Sequence, residues 1–348
     1  MNVQRRALVI IKRIIPLILC AAILTAALSS CAKKGKKIAF FMYNGNDTYI
    51  TEMMNYMTAA VPEDVAYEVR DAGNSQSVQN QQIVELINGG YDLFVINAVD
   101  RLACSSIIER CAKEGLPVIF FNREPLEDAL TGYDTYYVGP DAANQGAKQA
   151  EIAAGLFGDT FKGSVYDKNG DGIVQLVIIK GEQGHQDAEK RTDNCISRFK
   201  ALGYPAETLA IEVADWNRRD GYDAMKRMYL QHGENIELVF SNNDDMALGA
   251  IDYLLDSGVF HEDAGTPQPF AIIGVDGTVV GLDAVKRGLL YGTVNNDFVK
   301  QSDAVLALAD YILYGKDFAG FPYKITNKHF LYIDDNEGDK IIAEWRAR

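Results

Sequence analysis

The stretch Asp167-Lys168-Asn169-Gly170-Asp171-Gly172-Ile173-Val174-Gln175 puts oxygen-bearing side chains at loop positions 1, 3, 5 and 9, with glycine at position 6. That is the front half of an EF-hand calcium loop, in which the glycine permits the sharp turn and position 7, here Ile173, contributes only its backbone carbonyl. Position 12 is Ile178 where the loop calls for a bidentate glutamate, so a calcium ion here needs another carboxylate from elsewhere in the chain. A solvated, Asx-rich turn is the alternative.

A second cluster follows in Lys180-Gly181-Glu182-Gln183-Gly184-His185-Gln186-Asp187-Ala188-Glu189-Lys190-Arg191. His185, Asp187 and Arg191 share one side of a helix start, Asp187 and Arg191 four residues apart. They would make either a capped helix with a surface ion pair or a donor-acceptor rim around a polyhydroxyl ligand. Tyr49 and Trp216 are expected on loops that follow strands, outside the apolar face of any element. An aromatic pair with charged groups at its edge suits a sugar ring, which has apolar C–H faces and a hydroxyl rim. Core packing is the other use for such rings. No GxSxG, HExxH, GxGxxG or Walker loop is present, and no activated nucleophile stands out.

These residues need a scaffold, and the chain supplies a regular one. Apolar, β-rich runs at 38–43, 65–69, 93–97, 118–121, 174–179, 208–213, 238–241, 270–275 and 290–294 alternate with helical patterns such as 77–86, 102–114, 187–202 and 244–255. This alternation predicts parallel sheets with crossover helices. Five of the runs end directly in Asn or Asp, at Asn44, Asn122, Asn242 to Asp244, Asp276 and Asn295 to Asp297. Such residues commonly cap helices, yet the carboxyl ends of strands also face the ligand crevice of an open α/β sheet.

The first thirty residues hold Arg5, Arg6, Lys12 and Arg13 and no acid, then an apolar run, then Leu28-Ser29-Ser30-Cys31. The run is shorter than the roughly 20 residues of a membrane span, and the pattern is a lipoprotein signal at 1–30 that leaves Cys31 as an acylated N-terminus. Residues 31–36 are then a short basic tether. Without the signal, 30 basic residues face 48 acidic ones, a formal balance of −18 that disfavours nucleic acid as a partner. The remaining length exceeds what one hydrophobic core serves, so two lobes are expected. Cys104, Cys111 and Cys195 are an odd number at spacings of 7 and 84, which fits buried thiols and neither a zinc site nor a disulfide framework.

At these motifs, with Phe120-Phe121-Asn122-Arg123-Glu124-Pro125, Tyr136-Tyr137-Val138-Gly139, Asn242-Asn243-Asp244, Gly274-Val275-Asp276 and Gly292-Thr293-Val294, the chain resembles the periplasmic galactose/glucose-binding proteins of ABC transport from Lys37 almost to its end. The resemblance implies a type I periplasmic binding protein fold: two doubly wound parallel-sheet lobes, 37–140 with 296–331 and 141–295 with 332–348, joined by three crossings. It implies a non-enzymatic receptor, monomeric, for D-galactose or D-glucose, working with ABC permease membrane subunits and open to being read by a chemoreceptor. Ribose, xylose or a furanoside is the alternative ligand. Tyr49 and Trp216 would sandwich the ring, with Asp47, Asn122, His185, Asp187, Arg191, Asn243, Asp276 and Asn296 at its rim and Tyr43 close by. The same resemblance makes Glu237 the remote carboxylate of a structural calcium site with Asp167, Asn169, Asp171, Ile173 and Gln175. Tyr49 departs from the phenylalanine of familiar members, and the segment from Ile333 matches weakly. A cytoplasmic regulator of similar fold would carry a helix-turn-helix before residue 38, where this chain has a secretion signal. A glycosidase would need one cleft carboxyl kept protonated, whereas Arg191 favours ionised neighbours.

Overall fold

A computed structural model of the chain describes residues 35–262, 267–326, 329–333 and 340–342. The signal, Cys31 and most of the tether fall outside these residues. Strands that are apolar at every position become central strands covered on both faces, as parallel sheets require. Leu93–Ile96, Val118–Phe121 and Val174–Lys180 are buried throughout. Strands that alternate, Val65–Asp71 and Ala206–Val213, lie at sheet edges and expose every second side chain or so.

The first sheet contains β1 (Lys36–Met42), β2 (Val65–Asp71), β3 (Leu93–Ile96), β4 (Val118–Phe121), β5 (Thr135–Pro140) and β11 (Phe330–Ile333), in the order β11-β5-β4-β3-β1-β2, all parallel. The second contains β6 (Val174–Lys180), β7 (Ala206–Val213), β8 (Leu238–Ser241), β9 (Ala271–Asp276), β10 (Gly292–Asn295) and β12 (Lys340–Ile342), in the order β12-β10-β9-β8-β6-β7, with only β12 antiparallel. Helices α1 (Thr48–Ala59), α2 (Gln76–Leu86), α3 (Cys104–Lys113) and α4 (Glu127–Leu130) follow the strands of the first lobe. In the second lobe come α5 (Ala142–Phe157), α6 (Gln186–Ala201), α7 (Arg218–His232), α8 (Asp244–Asp256) and α9 (Val279–Lys286), and α10 (Phe298–Tyr314) returns to the first. Each sheet separates two apolar clusters. Along β6, Val177 and Ile179 join one and Leu176 and Ile178 the other, the two-residue period of a strand.

Both sheets are doubly wound. Strand order reverses between β1 and β3 in one lobe and between β6 and β8 in the other, and ligand crevices open beyond the carboxyl ends of strands at such points. Cys104, Cys111 and Cys195 are free and buried, as expected.

Several local expectations need correcting. Tyr49 lies inside α1, one residue past its start, because Asp47 caps the helix earlier than the loop reading assumed. The run at 290–294 forms a strand only from Gly292, while Leu290 is buried in the second lobe's core. The first lobe's sheet runs on to Ile333, which pairs with Pro140, two residues past the boundary expected at 331. Strand β5 was not expected, its apolar stretch being short and aromatic and ending in Gly139-Pro140.

Candidate functional site

About 320 Å³ of empty space lies between the lobes, lined by all eleven residues expected at a rim or sandwich together with Ile50 and Arg123. Tyr43, Asp47, Tyr49, Asn122 and Arg123 come from the strand ends and α1 of the first lobe. His185, Asp187, Arg191, Trp216, Asn243 and Asp276 come from the second, and Asn296 follows β10 at a crossing.

Capping and lining turn out to be one role. Asp47 Oδ1 accepts from the Ile50 N–H at 3.0 Å as the cap of α1, and its Oδ2 accepts from the Tyr43 hydroxyl at 2.6 Å. Asn243 caps α8 by accepting from the Met246 N–H at 2.9 Å and donates to the Trp216 carbonyl at 3.3 Å. His185 caps α6, its Nδ1 accepting from the Asp187 N–H at 3.1 Å. With Nδ1 an acceptor, the ring proton of neutral His185 sits on Nε2. Three helices thus begin at the cavity, and their N-terminal dipole ends favour electron-rich groups there.

Trp216 stands on a turn with φ of 65°, directly after Asp215 at 44°. Its ring lies over Gly181, where a Cβ would come within 2.3 Å of it, so glycine is required there. His185 meets the indole edge-to-face at 5.0 Å between centroids, and the Arg191 guanidinium lies 5.7 Å from the ring centre. The indole Nε1 and Asp187 Oδ1 are buried without a hydrogen-bond partner, which leaves a donor and an acceptor for a ligand.

Arg191 is held from several sides. Its Nη1 donates to the Asn242 carbonyl at 2.8 Å and its Nε to Gln145 Oε1 at 2.9 Å, with Asp187 Oδ2 3.5 Å from Nη2. Gln145 Nε2 donates in turn to Asn296 Oδ1 at 3.0 Å, and Asn296 Nδ2 to Asp276 Oδ1 at 3.1 Å. Gly146 makes this chain possible, because a Cβ there would sit 2.5 Å from the Arg191 carbonyl and force α5 away from α6. Asp276 has φ of 121°, a strained value for any residue but glycine, and the Asn296 N–H to Asp276 carbonyl bond at 3.0 Å helps to hold it.

Sequence reasoning missed Arg123, although it adjoins Asn122 in the quoted motif, and missed the supporting layer of Asn97, Gln145, Asn242 and Gln301. Asn97 donates to Asn122 Oδ1 at 3.1 Å, and Gln301 to Asn296 Oδ1 at 2.6 Å. Polar residues inside a helix or at a strand end carry no pattern that marks them as second-layer partners.

Burial raises the carboxyls of Asp47, Asp187 and Asp276 above their ordinary range, against nearby cations or hydrogen bonds that pull them down. Burial, with Arg123 and Arg191 adding to it, holds His185 well below the usual imidazole range. Acidification from about pH 7 to about pH 5 should therefore weaken binding of a hydroxyl-rich ligand, as the acceptor carboxylates begin to protonate while His185 stays neutral. The same three groups act oppositely on the ligand-free fold. A raised folded-state value gives stability that is present at low pH and lost as pH rises through it. Calorimetry across this range in two buffers should show weaker binding and proton release at the acid end. An unchanged affinity would contradict this assignment.

At the expected calcium loop, Asn169 Nδ2 lies 3.0 Å and Gln175 Nε2 2.9 Å from Asp171 Oδ2, so positions 3, 5 and 9 converge. Glu237 reaches the same loop, accepting from the N–H groups of Lys168 and Gln175 at 2.9 Å each. Asp167 accepts from Gly163 at 2.9 Å and from Gly172 at 3.2 Å. Asn169 Oδ1 already accepts from the Asp171 N–H at 2.9 Å, while turning the Gln175 amide over would aim its oxygen at the same point, so the loop offers oxygens of the kind a hard cation takes. Among the described residues, however, no three carboxylates, imidazoles or thiolates are already grouped as a metal site.

A model of the periplasmic binding protein domain matches residues 38–317. The D-galactose/methyl-galactoside binding periplasmic protein of Haemophilus influenzae is 33% identical over 91% of this chain and 96% of its own length. A xylitol-binding protein of Mycolicibacterium smegmatis is 29% identical over 81% of this chain and 73% of its own. Among solved structures, an ABC transporter solute-binding protein of Actinobacillus succinogenes with bound D-allose superposes with a TM-score of 0.72 at 20% identity, covering 90% of this chain and 98% of that one. One from Bacillus halodurans with bound myo-inositol gives 0.72 at 24%, covering 90% and 96%. Among the described residues no helix is long and apolar enough to cross a membrane. With the fold, the interlobe cavity and these likenesses in agreement, the chain belongs to the periplasmic binding protein family, whose members bind transport substrates outside the cytoplasm and are not enzymes.

Proposed function

We propose that this protein captures D-galactose or D-glucose between its lobes and delivers it to an ABC permease. The observation that carries the reading is the composition of one cavity: a buried aromatic from each lobe, Tyr49 and Trp216, with three carboxylates and Arg191 around them. A pyranose matches this with two apolar faces and an edge of donors and acceptors. The 33% identity to the Haemophilus galactose-binding protein over nearly its whole length supports a hexose in particular. The xylitol-binding relative supports the alternative, another monosaccharide or polyol in the same cavity. Cys31 is proposed as the lipid anchor that keeps the receptor beside its permease, and the loop at 167–175 with Glu237 as a calcium site that stiffens the second lobe.

A thermal-shift panel of galactose, glucose, allose, ribose, xylose, xylitol and myo-inositol tests the ligand. The true ligand at a hundred times its dissociation constant should add about 2.7 kcal/mol. A response to ribose or xylitol with none to the hexoses would overturn the hexose assignment.

Asp47 should govern the choice between the two epimers, which differ only in the direction of O4. Two of its roughly four acceptor sites are occupied by Ile50 and Tyr43, which leaves acceptors that reach either orientation. Wild type should bind both sugars within about tenfold of each other, roughly 1.4 kcal/mol. Asp47→Asn retains a capping oxygen but loses acceptor sites, so it should weaken both sugars and separate them further by calorimetry. A variant matching wild type for both would acquit Asp47.

A further inference from the structure

We infer that Arg123 couples lobe closure to the Asp47 carboxylate, with Glu182 of the opposite lobe as its closing partner; the inference rests on the sugar-binding role proposed above. Arg123 follows β4 directly after Asn122, whose φ of 59° turns the chain at the strand end. Its side chain is only 4% exposed, and Nη1 donates to the Val99 carbonyl at 2.6 Å within its own lobe. The guanidinium carbon lies 3.8 Å from the centre of the Tyr43 ring, in cation–π contact. The Tyr43 hydroxyl donates to Asp47 Oδ2, so Arg123 reaches a cavity carboxylate through one intermediary.

The partner that completes this arrangement belongs to the other lobe. Glu182, on the turn between β6 and α6, places Oε2 2.8 Å from Arg123 Nη1. A buried guanidinium without a counter-charge is costly. When the lobes separate, Glu182 leaves with the second lobe and water takes its place at Arg123, so the Glu182 charge offsets the cost of burying the guanidinium again on closure. Closure restores the counter-charge and sets Tyr43 and Asp47 against the ligand in the same movement. Another contact crosses the cleft without sharing this connection: Lys190 Nζ stands 4.0 Å from Glu124 Oε2. Glu182 is not among the residues lining the sugar cavity, so its effect is expected on closure and not on contact.

The test follows sugar release by stopped-flow fluorescence in wild type, Glu182→Gln and Glu182→Lys. Because the Glu182 carboxylate is 39% exposed, neutralising it should speed release modestly, about threefold. Reversing its charge should speed release further. Association rate and ligand-free melting temperature should stay at the wild-type values, and the ratio should be the same for every sugar bound. Unchanged release in both variants overturns the coupling, and so does a loss confined to one sugar, which would mark Glu182 as a direct contact. A fall in ligand-free stability matching the loss of affinity would also overturn it, as the effect of a merely structural ion pair. Failure of wild type to bind any hexose overturns the proposed ligand instead.

Discussion

Trp216→Ala should weaken sugar binding by at least about a hundredfold, roughly 2.7 kcal/mol, as expected when a buried aromatic anchor is removed. The indole forms one wall of the cavity, presents a buried and unpartnered Nε1–H, and is braced by Gly181, His185 and the Asn243 bond to its carbonyl. Its ring also packs into the apolar cluster of the second lobe, so the alanine variant could lose stability along with affinity. Trp216→Phe separates the two effects by keeping an apolar face while removing the N–H donor. It should fold as wild type by circular dichroism and bind sugar with intermediate affinity. Ligand should also change tryptophan emission, since the chain's only other tryptophan is Trp345 near its end. Calorimetry that finds the alanine variant binding as tightly as wild type would remove Trp216 from the site.

Calcium removal should produce the second large effect, on stability more than on affinity. At a hundred times its dissociation constant a bound ion contributes about 2.7 kcal/mol, which for a lobe of this size corresponds to a melting shift of roughly 5–10 °C. The Asp167 to Gln175 loop is joined to the start of β8 through Glu237 and through Lys168, whose Nζ donates to the Ile236 carbonyl at 2.7 Å. Burial raises the Glu237 carboxyl, and a divalent ion would reverse that by favouring the charged form. Chelator should therefore lower the melting temperature of wild type, and added calcium should restore it. Glu237→Gln should melt near the chelated wild type and respond to neither. A wild-type melting curve unmoved by chelator would show that the loop needs no metal.

Much of this site was legible because its chemistry is concentrated at strand ends. In a doubly wound sheet the residues after an apolar strand lie near the crevice, some lining it and some, like Asn97 and Asn242, supporting those that do. Strand boundaries thus marked Asn122, Asn243, Asp276 and Asn296 as either caps or crevice residues, and the resemblance supplied the choice. Tyr49 lines the cavity from α1 and not from the loop expected for it. Its helix begins with the Asp47 cap, and a capping aspartate in a Gly-Asn-Asp-Thr stretch reads equally well as a turn.

The sequence by itself determined the alternation of strand and helix, the buried character of the central strands, and which short polar residues end them, because these depend on neighbours along the chain. It also carried the spacing of Asp, Asn, Gly and Gln in the 167–175 loop, which is local. Only the tertiary structure decided that a cap can simultaneously line a cavity, that Gln145 on α5 reaches both Arg191 and Asn296, and that Arg123 finds its counter-charge on the opposite lobe. Those partners lie 46, 151 and 59 residues apart. They meet because two sheets, each folded by its own apolar strands, bring their carboxyl ends face to face, and no local preference of the chain encodes that meeting.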